Sequence, residues 1–205
     1  MKCPFVSRSN TRPADRFGFS LLELLLTVVI ILILTTLYWS PNRASRQRTL
    51  QSACQNNLHK LYIAMNIYAT DHAGNFPVVA GARKSAQALD PLVPRYSSDT
   101  SIFICPGANE SAPPGGESIR NRTISYAYYM GRASTNQDVL ITDRQVDTKP
   151  KAVGQLVFSP DGKPPGNNHR QFGGNFLFCD GHIDPSSPKT GIALDLGPGE
   201  VLLNP

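Results

Sequence analysis

The 205-residue sequence lacks the signatures of a catalyst. It has no Ser-His-Asp pattern, no HExxH helix and no glycine loop built to cradle a phosphate. Gly173-Gly174 is followed by neither the Lys nor the helix that such a cradle needs. These absences argue against an enzyme. Charge is sparse as well, at 17% of residues, and the formal net charge of +5 is unevenly placed. Lys2, Arg8, Arg12 and Arg16 against Asp15 put +3 into the first 18 residues, leaving +2 for the rest. That remainder is too weak for a nucleic-acid groove, so no nucleic-acid partner is expected. No segment of 20–50 residues repeats, which excludes a solenoid. A hydrophobic content of 40%, with 16 Gly and 17 Pro, excludes a disordered chain, a collagen-like repeat and a multi-span membrane protein.

Long hydrophobic runs are also scarce, with a single exception. Phe19 to Trp39 form 21 residues whose only charge is Glu23. As a helix they would extend roughly 31 Å, which predicts a transmembrane segment over 19–39. Tyr38 and Trp39 suit the membrane interface, and Ser40-Pro41 supplies a break. From Asn42 to His72 there is no Gly or Pro, and Leu50, Cys54, Leu58, Leu61, Met65 and Tyr68 recur at helical spacing. This predicts an amphipathic stalk helix over 40–72, stopped by Gly74 and Pro77. Span and stalk together would make a helix of about 53 residues, roughly 80 Å long and interrupted near Pro41.

Residues 73–205 change character. Gly and Pro make up 22% of them, against about 12% in an average protein, which predicts a loop-rich domain with short strands. Strands are expected at 101–104, 123–129, 138–142, 155–158 and 175–179, and one helical turn at 85–89. The expected fold is α+β: a long N-terminal transmembrane-plus-amphipathic helix packed on a small, mostly antiparallel sheet with long loops.

Arg16-Phe17-Gly18 followed by Phe19-Ser20-Leu21-Leu22-Glu23 resembles the prepilin signal of type IV pilins and type II secretion pseudopilins. The resemblance implies a leader peptide over 1–18, cut between Gly18 and Phe19 by a prepilin peptidase that then N-methylates Phe19. It makes Glu23 the assembly residue, pairing with the N-terminal amine of a neighbouring pilin or pseudopilin subunit. It also implies single-pass insertion in the inner membrane, with the C-terminal domain outside the cytoplasm. Further along, Cys54-Gln55-Asn56-Asn57-Leu58, Phe76-Pro77, Phe103-Ile104-Cys105-Pro106 and Ser125-Tyr126-Ala127-Tyr128 look like a large prepilin-type family. That family ends in a His, nine residues and Asp-Gly; here ten residues separate His169 from Asp180-Gly181. Its domain boundaries here would be 1–18, 19–39, 40–72 and 73–205, on a pilin-like fold.

Of the four cysteines, Cys3 would leave with the leader, so Cys54, Cys105 and Cys179 remain. Cys54 and Cys105 lie in the family motifs and are the disulfide candidates that the resemblance implies. No second Cys lies near Cys105 to make a metal knuckle. Towards the C-terminus, Asp143, His169, Asp180 and His182, with Asp184 nearby, fall near expected strand ends. They are expected to converge at one end of the sheet, as a His–Asp hydrogen bond or around a divalent cation; no other cofactor is expected. The expected function is a structural subunit of a type IV pilus or a type II secretion pseudopilus. The alternative is a non-polymerising anchored binding module that uses the prepilin signal for export alone.

Overall fold

The chain divides into two units, Met1–Asn42 and Arg43–Pro205. The computed structural model describes residues 20–38, 43–135 and 137–205, with the backbone alone at 37, 43 and 44.

The first unit contains helix α1, Leu21–Tyr38. Its leucines are strong helix formers, and Thr27, Thr35 and Thr36 return their hydroxyls to backbone carbonyls three residues back. Among the described residues, no helix is long and apolar enough to cross a membrane. The 18 residues of α1 give about 27 Å, against a hydrocarbon core of about 30 Å. Glu23 stands in the first turn, so only about 22 Å of helix follows the charge. This corrects the transmembrane segment expected over 19–39, and with it the single-pass placement in the inner membrane. It also replaces the pilin-like architecture of one long N-terminal helix.

The second unit begins with α2, Arg43–Asp71, which belongs with the sheet domain. Cys54, Leu58, Leu61 and Met65 are fully buried along one face of it. Its end is set where the Gly74 N–H bonds back to the Ala69 carbonyl at 2.8 Å. A short helix α3, Ser85–Leu89, follows.

Five strands form the sheet: β1 Tyr126–Met130, β2 Val139–Asp143, β3 Gly174–Phe178, β4 Ile183–Ser186 and β5 Val201–Leu203. Their order is β4-β3-β2-β1-β5, and every neighbouring pair is antiparallel. Side-chain alternation gives the sheet two buried faces. Tyr126, Tyr128, Ile141, Leu177 and Leu203 pack with α2 and α3. Ala127, Tyr129, Val139, Phe176 and Leu202 pack under a cover of Val157, Phe158 and Leu194. The sheet is the layer that both cores share.

Two expected strands are not strands. Residues 100–103 form a 3-10 turn, because the Asp99 side chain accepts the Ser101 N–H at 3.0 Å and caps it. Residues 155–158 bond to the 188–190 loop through Val157 N–H to Pro188 and Thr190 N–H to Gln155, with a single bridge at Leu156–Lys189. Pro188 has no N–H of its own to extend that pairing into a ladder.

Candidate functional site

Asp143 is the last residue of β2 and lies two positions after Ile141, so it shares the face that meets α2. Cys54 projects from the buried face of α2. Cys105 follows the 100–103 turn, whose exit is tied to α2 by the Asn57 amide donating to the Ile104 carbonyl at 2.9 Å. His169 enters from the loop before β3. The side chains of all four residues meet, and all four are at 0% exposure.

Cys54 Sγ lies 3.3 Å from Asp143 Oδ1, and equally 3.3 Å from the Tyr126 hydroxyl. Cys105 Sγ lies 3.3 Å from His169 Nε2. The same ring nitrogen is 3.3 Å from Asp143 Oδ2. One ligand atom from each of the four falls within 4.8 Å of all the others. Around them, Asn168 Nδ2 donates to Asp143 Oδ1 at 2.7 Å, and the Gly107 N–H reaches Cys105 Sγ at 3.4 Å. Gly107 is required sterically. A Cβ there would fall 2.5 Å from the Asn168 carbonyl oxygen and 2.8 Å from His169 Nδ1.

Burial works against charge on all of these groups, and their mutual contacts decide the outcome. For Asp143, burial is outweighed by the His169 imidazolium and its hydrogen bonds, so its carboxyl titrates below the usual range. Burial alone would depress His169, but the Asp143 carboxylate and the hydrogen bonds to Asp143 and Cys105 raise it to about 10. Burial pushes the Cys54 thiol well up, reinforced by Cys105 and Asp143. Cys105 is also pushed up by burial, yet its hydrogen bonds with Cys54 and His169 bring it below an ordinary thiol. His169 and Asp143 therefore pair as imidazolium and carboxylate.

This is not the arrangement of a Cys-His-Asp nucleophile. Such a relay engages both ring nitrogens, one with the sulfur and one with the carboxylate. Here the sulfur and the carboxylate converge on the single atom Nε2, while His169 Nδ1 has no hydrogen-bond partner among the described residues. The four side chains instead bring one ligand atom each within 4.8 Å of the others, a spacing that could hold a metal ion.

No family model, no curated protein and no solved structure matches this chain. The chemistry of the site therefore rests on its own geometry.

Of the expected site residues, Asp143 and His169 are brought together, whereas Asp180 and His182 are not brought to them. The latter two form their own exposed pair in the β3–β4 turn, with His182 Nδ1 2.5 Å from Asp180 Oδ1 and its ring stacked on Phe178. Asp184 lies at 3.9 Å from His182 Nε2. The physical reason is strand direction. β2 and β3 are antiparallel, so the C-terminal end of β2 meets the start of β3, and Asp180 follows the opposite end. Hydrogen bonds from the backbone and side chain of His182 to Asp180 hold its carboxyl below the usual value.

Cys54 and Cys105 are free thiols, which corrects the disulfide candidacy; each sulfur is engaged by a polar partner within the cluster. Glu23 lies in the first turn of α1. Gly18 and Phe19 lie outside the described residues. Sequence reading missed Tyr126, Asn168 and Asn175. Tyr126 stands in the quoted Ser-Tyr-Ala-Tyr motif and Asn168 beside His169, but Asn175 carries no signal beyond its place in a strand.

Proposed function

We propose that this chain is a prepilin-type structural subunit, cut between Gly18 and Phe19 and assembled with like subunits through α1. The observation that carries the reading is the surface of α1. Leu21, Leu22, Leu25, Ile31 and Leu34 are 57–84% exposed, and they point all round the helix. A helix that is apolar on every side has no face for water and needs neighbours to cover it. Packing against α1 of other copies supplies that cover over its whole circumference. Glu23, alone among these side chains in carrying a charge, then needs a cationic partner within the bundle. The methylated amine of a neighbouring Phe19 has the right charge, and leaving either group alone in an apolar bundle is costly.

The test is microscopy of sheared cell-surface material, with mass spectrometry of any filaments. Filaments should contain this chain beginning at N-methylated Phe19. Glu23→Ala should be cleaved as wild type and absent from filaments, whereas Gly18→Val should keep its leader. Filaments built from chains that begin at Met1, or a Glu23→Ala chain that assembles as well as wild type, would overturn the reading. Correct cleavage with no filament in either strain would favour a chain that uses the signal for export alone.

A further inference from the structure

We propose that Cys54, Cys105, Asp143 and His169 form a closed tetrahedral zinc site that staples α2 to the sheet. The proposal concerns the 43–205 unit and stands apart from the filament reading.

The geometry is the first argument. Zinc binds sulfur at about 2.3 Å, nitrogen at about 2.0–2.1 Å and carboxylate oxygen at about 2.0–2.2 Å, so a tetrahedron of such ligands has edges of about 3.3–3.8 Å. Cys54 Sγ is 3.3 Å from Asp143 Oδ1, His169 Nε2 is 3.3 Å from Asp143 Oδ2, and Cys105 Sγ is 3.3 Å from His169 Nε2, each close to such an edge length. The four ligand atoms together fit within 4.8 Å. Both Asp143 and Cys105 face the single Nε2 of His169, so an N–H there is shared between two acceptors, whereas an ion would give each ligand atom a bond of its own.

The ligand types are the second argument. Calcium and magnesium take oxygen ligands, whereas two sulfurs and an imidazole select a softer ion. Two thiolates, one carboxylate and a neutral imidazole around a divalent ion leave a net charge of −1. Donors are already aimed at that charge: the Tyr126 hydroxyl at Cys54, the Gly107 N–H at Cys105, and the amides of Asn168 and Asn175 at Asp143. Such outer donors orient ligands in metal sites.

The third argument is topology. The ligands come from α2, the loop after the 100–103 turn, the end of β2 and the loop before β3. An ion there closes four segments onto one point, and four protein ligands leave no open position, the mark of a structural rather than a catalytic site. A polar pocket of about 270 Å³ lies beside the cluster, lined by Gly107 and Asn168, which contact it, and by Arg144 and Glu110 among others. Cys54 and Cys105 would bind as thiolates and His169 as a neutral imidazole, so whatever protons these groups carry leave to solvent on binding.

The test uses the full chain, reconstituted with zinc under reducing conditions and then freed of loose metal. About one zinc per chain is expected by mass spectrometry of the metal content. Cobalt(II) in its place should give the strong visible bands of a tetrahedral site and a sulfur-to-cobalt charge-transfer band. Chelation should lower the melting temperature by about 10 °C or more, and added zinc should restore it. Cys105→Ser and His169→Gln should lower zinc affinity by at least about tenfold, while Cys179→Ala, at a buried cysteine outside the cluster, should keep full loading. Where a ligand variant does not fold, the cobalt spectrum of the wild-type chain decides. A folded wild-type chain that holds less than about a tenth of an equivalent of zinc would overturn the proposal. So would octahedral cobalt bands, or a Cys54–Cys105 disulfide in freshly isolated protein.

Discussion

Asp143 Oδ2 accepts two hydrogen bonds from Asn175, one from its backbone N–H at 2.8 Å and one from its side-chain amide at 3.0 Å. The last residue of β2 thereby clamps the start of β3. The clamp extends to α2, since Gln55 Nε2 donates to Asn175 Oδ1 at 3.1 Å and Gln51 Nε2 to the Gly174 carbonyl at 2.8 Å. Helix, strand end and candidate site are one connected polar network inside an apolar core. Networks of this kind are costly when half satisfied.

Asn175→Ala removes the side-chain amide but leaves the backbone N–H in place. Loss of a hydrogen bond to a buried charge should cost about 2–3 kcal/mol. Asn175→Asp should be worse, because it places a second carboxylate against Asp143. Urea unfolding of both variants measures this as a shift in midpoint at constant slope. An Asn175→Asp chain as stable as wild type at neutral pH would show that Asp143 is not the charged acceptor described here.

The legible part of this molecule is what short-range pattern determines. Cys54, Leu58, Leu61 and Met65 stand at helical spacing, and that face is the one α2 buries. The apolar run Phe176-Leu177-Phe178 reads as a strand for the same reason, being bounded by Gly-Gly and Asp-Gly. Partnership was not legible. Whether Asp143 meets Asp180 depends on the direction of β3 relative to β2, and nothing within either segment encodes direction. Cys54 and Cys105, 51 positions apart in the chain, become candidate ligands only once α2 lies across the strand ends. The apolar run over 19–39 is longer than the helix it forms, since α1 covers Leu21–Tyr38 and carries Glu23 in its first turn.

Acid sensitivity should be traceable to Asp147. Its carboxylate receives Lys151 Nζ and the Lys149 N–H at 2.8 Å, and Lys151 is itself 5% exposed. Burial opposes ionisation of Asp147, but these contacts win and hold its carboxyl below the ordinary value. A depressed folded value means that the stabilisation is complete above the unfolded value near 3.9 and is lost as pH falls through the folded one. The gap in melting temperature between wild type and Asp147→Asn should therefore be constant near neutrality and shrink on acidification below about pH 4. A gap unchanged down to about pH 2 would mean that Asp147 is not held ionised by this pair.

Gly173 should tolerate no side chain. Its φ is +93°, and a Cβ would sit 1.9 Å from the Ser186 carbonyl oxygen, inside the β3–β4 pairing that begins at Gly174. Gly173→Ala adds an unfavourable backbone conformation to a clash with rigid backbone, for a cost of about 3 kcal/mol or more. Gly191 is the control. It has no positive φ, and nothing lies within 4 Å of where an alanine methyl would sit. Gly191→Ala should therefore change stability by less than about 0.5 kcal/mol. Equal midpoints for the two variants would show that β4 yields freely at Ser186.

Arg132 should be the side chain outside the candidate site whose loss costs most. It is 4% exposed, and its three nitrogens go to three places. Nε meets Glu200 Oε2 at 3.0 Å, Nη2 the Asp195 carbonyl at 2.6 Å, and Nη1 the Val139 carbonyl. Its guanidinium carbon lies 4.4 Å from the centre of the Tyr129 ring. Through these contacts one residue ties the exit of β1 to the start of β2 and to the segment entering β5. Arg132→Met removes the cation and strands a nearly buried Glu200, for which about 3–5 kcal/mol is expected. Arg132→Lys keeps the charge but not the planar fork, and a single ammonium cannot reach three separated acceptors, so it should recover less than half of that loss. Glu200→Gln in the Arg132→Met background removes the stranded charge and should restore part of the stability, giving a coupling of about 1 kcal/mol or more in the double-mutant cycle. Full stability in Arg132→Lys would mean that charge alone matters here, and additive effects in the cycle would mean that Glu200 is not its partner.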